Sequence, residues 1–305
     1  MTQPVDIRFA EADPAAFPKL EGRIAVLVTG EGKMDQSTRR LDRLMKGALS
    51  RYVASESFGK LKQGGSATLA WPAGLAAEAV HVIRLDRKAS VAEARKAGAV
   101  LGKALGEKGG TFVVGGHSRA AEISLGIALR AYEFTAHKTG DITPKGPVTM
   151  LVNNPEAVAA AANPLAALAE GVFFTRDLVN EPANVLTTFD FAARLAAMQE
   201  LGLDVEILEE EELAKLGMRA LLAVGVGSET PSKVVIMRWN GGKTGDAPVA
   251  LVGKGVVFDA GGISIKPAGG MEEMTMDMGG AGVVAGVMRT LALRKAKANV
   301  VGLVG

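Results

Sequence analysis

The sequence lacks cysteine altogether and is poor in histidine, which excludes several kinds of active site. Its 305 residues include no cysteine, three histidines (His81, His117 and His137) and only 5% aromatic residues. Disulfides, thiol nucleophiles and thiolate metal sites are therefore excluded, and any metal ion must be bound through oxygen or nitrogen atoms. Because no histidine lies near the glycine-rich segment that ends the chain, a histidine-rich zinc site is not expected.

The chain also lacks a strong excess of charge and long hydrophobic runs. Its net charge of +2 gives no electrostatic support for nucleic-acid binding. The N-terminus has no basic start followed by an apolar stretch, so no signal peptide is predicted. No run of 18 uncharged apolar residues occurs, so no membrane span is predicted either. These features favour a cytoplasmic protein.

Strand-like and helix-like patterns alternate along the chain, which indicates the α/β class. The length predicts two domains, residues 1–165 and 166–305, with the boundary inside an alanine-rich helical stretch. Helices are predicted at 35–54, 90–106, 120–135, 155–179, 189–201, 209–216 and 279–294; Ser90 and Glu93 form a capping-box pattern. Strands are predicted at 24–28, 68–71, 79–85, 111–114, 148–152, 204–208, 221–226, 233–239, 249–252 and 299–304. The last of these strands, 299–304, is so apolar that we expect it inside a sheet. We therefore expect the given chain to be the front part of a longer protein.

The chemistry is expected after residue 249, where charged residues stand among glycines. A strand predicted to be buried, 249–252, is followed by Lys254, Asp259, Lys266 and Asp277. Carboxylates held close together need compensating cations, and bound metal ions are a usual solution. A purely structural interpretation also exists, since Asp277 is predicted as the N-cap of the next helix and isolated lysines often lie along the surface.

A second conspicuous segment is RDLVNEPANVLTT, residues 176–188. Its Asn-Glu-Pro sequence predicts the end of a helix, because proline disfavours helix in the residue before it. A capped helix end followed by a turn explains this segment as well as a functional role does.

Taken together, RDLVNEPANVLTT and VGKGVVFDAGGISIKPAGGMEEMTMDMGGA resemble the M17 family of leucyl aminopeptidases, also called cytosol aminopeptidases. The resemblance is strong after about residue 170 and weak before it. It implies a macro-like N-terminal α/β domain and the first part of a metallopeptidase domain with a mixed sheet. Ala260 departs from the Ser or Thr usual in the family, at a position that is not a metal ligand there.

By resemblance, Lys254, Asp259 and Asp277 are metal ligands, with Asp259 bridging two divalent ions and Lys254 binding as a neutral amine. Lys266 stays charged and faces the substrate carbonyl, and Met274 lines the pocket for a leucine-like side chain. The oxygen and amine donors suit Mn²⁺ or Zn²⁺, with Mg²⁺ as an alternative. The family draws further ligands, and an arginine that holds bicarbonate, from a segment resembling NTDAEGR. That segment is absent here, so the chain alone is expected to be inactive.

The resemblance implies release of N-terminal residues from peptide substrates by a cytoplasmic homohexamer. Two alternatives remain open. The first is a non-catalytic scaffold in which the macro-like domain binds ADP-ribose, although the pair Gly115-Gly116 is too short to be a specific phosphate-binding motif. The second is an unrelated metal-dependent hydrolase, such as an amidase or a phosphatase.

Overall fold

The computed structural model describes all 305 residues, and they form two compact units. Pro4–Ala169 form the N-terminal unit, and Glu170–Gly305 together with Met1–Gln3 form the C-terminal unit. The boundary lies inside one long helix, four residues after the predicted position. That these units are the domains of the whole protein stays a prediction.

The N-terminal unit is a six-stranded sheet with helices on both faces. Its strands are β1 (Ile7–Ala10), β2 (Arg23–Val28), β3 (Ser66–Ala70), β4 (Ala79–Arg84), β5 (Gly110–Gly115) and β6 (Val148–Val152), in the order β1-β6-β5-β2-β4-β3. All neighbours are parallel except β3, which pairs antiparallel with β4. The helices are α1 (Gln36–Leu44), α2 (Ala48–Val53), α3 (Glu56–Gly59), α4 (Val91–Ala104), α5 (Ala120–Ala131) and the start of α6 (Pro155–Asn180).

Side-chain alternation along the strands builds a separate core on each face of this sheet. In β2, Ala25 packs against α4 and α5 on one face, while Ile24 and Val26 pack against α1–α3 on the other. The predicted helix over 35–54 is divided in two, because Gly47 between α1 and α2 adopts φ +78°. The predicted capping box is confirmed: Ser90 accepts from the Glu93 N–H, and the Glu93 carboxylate accepts from the Ser90 N–H.

The C-terminal unit contains a four-stranded mixed sheet. Its strands are β7 (Asp204–Leu208), β8 (Val234–Asn240), β9 (Val249–Gly253) and β10 (Asn299–Val304), in the order β7-β8-β10-β9. Only β9 and β10 are parallel. Its helices are the end of α6, α7 (Thr188–Ala196), α8 (Glu210–Lys215), α9 (Arg219–Gly225) and α10 (Gly279–Leu293). It also contains two short 3-10 helices, Ala197–Leu201 and Met271–Met278. The N-terminal unit contains one, Phe17–Lys19.

Two strand predictions in this unit are wrong. The strand predicted at 221–226 is helix α9, because short apolar runs do not distinguish strand from helix and alanine and leucine favour helix. The strand β9 exists but is not buried: it lies at the edge of the sheet, with Val249 61% and Val252 79% exposed.

One helix, α6, is long and apolar enough to cross a membrane by length and composition, with 33% of its most apolar window buried. This is weak evidence for a membrane span, because core helices of soluble proteins meet the same criterion.

Candidate metal centre

The end of β9 and the start of α10 approach each other closely, and this contact positions the predicted site. The Ala281 N–H donates to the Lys254 carbonyl oxygen at 2.9 Å. A Cβ atom at Gly253 would lie 2.6 Å from the Gly280 carbonyl oxygen, so only glycine allows this approach. Lys254 is therefore held beside the 3-10 helix Met271–Met278 that leads into α10.

Asp277 lies in this 3-10 helix and pairs with Lys254. The Lys254 Nζ atom lies 2.5 Å from Asp277 Oδ1. The Asp277 side chain is only 19% exposed, and its Oδ2 atom is buried without a hydrogen-bond partner. Buried carboxylate oxygens are almost always satisfied, so this atom is available to a further cation. The prediction of Asp277 as N-cap is wrong: Met278 is the N-cap of α10 and forms no side-chain cap, because the 3-10 helix runs directly into α10.

Asp259 lies in the irregular loop between β9 and this 3-10 helix and pairs with Lys266. The Lys266 Nζ atom lies 2.8 Å from Asp259 Oδ2, and the Gly261 N–H donates to Asp259 Oδ1 at 2.9 Å. The Lys266 hydrogen bond and then the Gly261 N–H hold the pKa of Asp259 below its usual range, with a smaller contribution from the charge of Lys254. The carboxylate therefore stays ionised near neutral pH.

The five predicted site residues thus form one neighbourhood, which we call the lysine–carboxylate cluster: Lys254, Asp259, Lys266, Met274 and Asp277. Lys266 also contacts Met274, with 3.2 Å between Nζ and Sδ. The charge of Lys254, acting on the pKa of Asp259, links the two ion pairs. The cluster offers two carboxylates and two amines, and no group of three or more His, Cys, Asp or Glu side chains is placed to hold a metal ion.

Residues 176–188, the second conspicuous segment, have structural roles. The helix α6 ends at Asn180, as predicted, and Thr187 caps α7 by accepting from the Asp190 N–H. The buried Glu181 carboxylate pairs with Arg194 at 3.1 Å.

A cavity of about 610 Å³ lies elsewhere, in the N-terminal unit. It contains none of the residues predicted as site residues. The sequence signal that could have indicated it is the glycine pair at the end of β5, Gly115-Gly116, which is followed by His117 and Ser118.

Residues 173–305 match the profile described as "Cytosol aminopeptidase family, catalytic domain". The chain is 66% identical over all 305 residues to a "Probable cytosol aminopeptidase" of Cereibacter sphaeroides and covers 62% of that protein. The chain therefore spans about three fifths of the length of the curated relatives it matches.

Two solved structures share the fold. "Bottromycin maturation enzyme BotP in complex with Mn" has a TM-score of 0.69 at 27% identity, over 93% of this chain and 58% of that chain. A mutant of tomato leucine aminopeptidase has a TM-score of 0.76 at 22% identity, over 99% of this chain and 62% of that chain. At 22% identity the second likeness concerns the fold alone.

Proposed function

This chain belongs to the cytosol aminopeptidase family, and we propose that it carries the first part of a metal-dependent active site that removes N-terminal residues from peptides. The observation that carries the proposal is the lysine–carboxylate cluster, in which the Asp277 Oδ2 atom is buried and has no partner. The cluster lies inside the part of the chain that matches the catalytic domain of the family.

The donor set fits divalent ions. Asp259 and Asp277 supply carboxylate oxygens, and Lys254 would add an amine nitrogen after losing its proton to become a ligand. When bound, two divalent ions would lower the pKa of a water molecule and provide a hydroxide nucleophile near neutral pH. Mn²⁺ and Zn²⁺ are our candidates, and the Mn²⁺ in the BotP structure supports the first. Bicarbonate remains an expectation from the family resemblance.

Lys266 would act on the substrate. Its side chain is half-buried, and its ammonium group lies between the Asp259 carboxylate and the Met274 sulfur. A positive charge held there would stabilise the negative charge that develops on the carbonyl oxygen during attack. Met274, beside it, would contact an apolar N-terminal side chain, and this adjacency supports a preference for leucine.

Two carboxylates and one amine are too few ligands for two divalent ions. We therefore propose that the 305-residue chain alone is inactive and that the missing ligands lie in the part of the relatives that this chain does not span. The cytoplasmic location and the homohexamer are carried over from the family as expectations, and the relatives' name supports the former.

The test is peptide hydrolysis by the chain and by a chimera, in which residues 1–305 are followed by the part of the Cereibacter sphaeroides relative outside the match. We expect the chimera to cleave leucyl peptides with a free α-amine only when Mn²⁺ or Zn²⁺ is present, and the chain alone to be inactive. Equal cleavage of N-acetylated peptides, or cleavage after complete metal removal, would contradict the proposal and favour an unrelated hydrolase.

A further inference from the structure

One cavity of the N-terminal unit lies at the position where ligands bind in open α/β sheets. The strands β2 and β5 are parallel neighbours. After β2 the chain enters α1, which packs on one face of the sheet through Leu41, and after β5 it enters α5, which packs on the opposite face through Ile123. Two neighbouring strands whose chains leave to opposite faces open a crevice at their carboxyl ends. The cavity of about 610 Å³ lies in this crevice.

Four strand ends contribute to the cavity wall, so it is a built feature of the sheet and not a gap between loops. Thr29 follows β2, Arg87 follows β4, His117 follows β5 and Asn153 follows β6, and all four line the cavity. Its volume is within the range of small-molecule sites.

The wall contains cationic and hydrogen-bond-donating groups suited to an anion. Arg87 is exposed and has no ion-pair or hydrogen-bond partner. Lys33 is a second cation in the wall, and its Nζ atom forms an ion pair with Glu31 Oε2 at 2.5 Å. The helix α5 begins two residues after Ser118, which lines the cavity, and its N-cap residue, Arg119, provides no side-chain cap. A helix N-terminus adds to the positive potential that these side chains create.

The loop after β5 is held in one conformation. His117 Nδ1 accepts from the Arg119 N–H at 3.1 Å, so Nε2 carries the hydrogen and donates to the Asp86 carbonyl oxygen at 3.0 Å. Gly115 has φ +59°, and any Cβ atom there would collide with the carboxylate of Asp35. The loop is therefore positioned before any ligand arrives, which reduces the entropic cost of binding.

Other parts of the wall suit a larger body attached to the anion. Leu27, Leu85 and Val114 provide apolar surface. Asp35 accepts from the Thr38 N–H at 2.7 Å through Oδ1, which leaves Oδ2 to accept from a hydroxyl or amino group. A lone inorganic anion would use only the cationic part of this wall.

The geometry points to a binding site for a nucleotide-sized ligand that carries a phosphate group, in the cavity at the carboxyl ends of β2 and β5. Arg87 and the start of α5 bind the phosphate, and the apolar wall and Asp35 bind the nucleoside. This inference concerns only the N-terminal unit and stands or falls independently of peptide hydrolysis.

The test is isothermal titration calorimetry of the 305-residue chain with ADP, adenosine and inorganic phosphate. We expect ADP to bind at one site per chain, and adenosine and phosphate to bind at least about tenfold more weakly, since each makes only part of the contacts. No binding of ADP at about 5 mM would overturn the proposal, and so would adenosine or phosphate binding as tightly as ADP.

Three variants locate the site. Arg87→Ala removes the unpaired cation, and Ser118→Glu places a negative charge at the start of α5, where it favours the helix but repels phosphate. Each should weaken ADP binding about tenfold or more. Lys88→Ala, the matched control, removes a neighbouring exposed cation that does not line the cavity, and its ADP affinity should equal that of the wild type. Unchanged ADP affinity in both Arg87→Ala and Ser118→Glu would overturn the proposed location.

Discussion

Asp277 is the residue on which the proposed metal site depends most. One of its oxygens is paired with Lys254 at 2.5 Å and the other is buried with no partner. An unsatisfied buried carboxylate oxygen is costly, so a protein tolerates it mainly where a ligand or an ion satisfies it. Asp259, by contrast, is already satisfied by Lys266 and Gly261, so a metal ion must compete with the Lys266 ammonium there.

At the same scale, Lys266→Ala tests the role of the charged amine beside Met274. In the chimera we expect kcat for a leucyl peptide to fall by about two orders of magnitude or more, because one donor to the developing oxyanion is lost. Steady-state kinetics would measure it, with Lys243→Ala, a loop lysine of the same unit, as the control. An unchanged kcat in Lys266→Ala would exclude the proposed role.

His81 makes the stability of the N-terminal unit depend on pH. It is 7% exposed, pairs with Thr68 across β3 and β4, and burial followed by the charge of Arg23 lowers its pKa. At neutral pH the imidazole ring is mainly uncharged in both the folded and the unfolded state. As pH falls below about 6.5, the unfolded chain binds a proton that the folded state resists, so stability is lost with acidification.

The expected result is a steeper fall in urea midpoint between about pH 7.5 and about pH 5 for the wild type than for His81→Gln. His137→Gln removes an exposed histidine of the same unit and should retain the wild-type pH dependence. Parallel pH profiles for the wild type and His81→Gln would contradict this assignment.

Among the elements, the pair α4 and α5 shows how glycine sets helix packing. A Cβ atom at Gly98 would overlap the Ile123 carbonyl oxygen, and one at Gly126 would overlap the Arg95 carbonyl oxygen. The backbones of the two helices are therefore in direct contact, and together the helices cover the core on this face of the sheet.

Gly98→Ala should accordingly lower the free energy of unfolding by about 2–3 kcal/mol, because the added methyl group can be accommodated only if the helices separate. Urea denaturation would measure the change. Gly106→Ala is the control, since nothing lies within 4 Å of its Cβ position. A loss below about 0.5 kcal/mol in Gly98→Ala would show that α4 and α5 separate at little cost.

The bounds of a helix could be predicted from the sequence where residues close to its start or end determine them. The capping box at Ser90 and Glu93 and the proline after Glu181 act within a few residues, so the starts and ends of α4 and α6 were predicted well. The α9 helix was missed because an apolar run of six residues carries no period. The exposure of β9 was missed because strand order, which the sequence does not display, places it at an edge.

For the whole molecule, the two proposed sites differ in how far the sequence could reveal them. The lysine–carboxylate cluster lies within 24 consecutive residues, 254–277, so the motif alone indicated it. The cavity in the N-terminal unit is built from four segments between Leu27 and Asn153, and only the strand order brings them together. The glycine pair Gly115-Gly116 marks only one of these segments, so no single local pattern predicts the whole cavity.

The most direct test of the central claim is the metal content of the chimera after dialysis against metal-free buffer, following loading with Mn²⁺. We predict that the wild type and Asp246→Asn, an exposed loop control, retain Mn²⁺ in stoichiometric amounts. Asp259→Asn and Asp277→Asn should lose it, because each removes a charged ligand oxygen. Stoichiometric Mn²⁺ retained in both variants would contradict the assignment of these carboxylates as metal ligands.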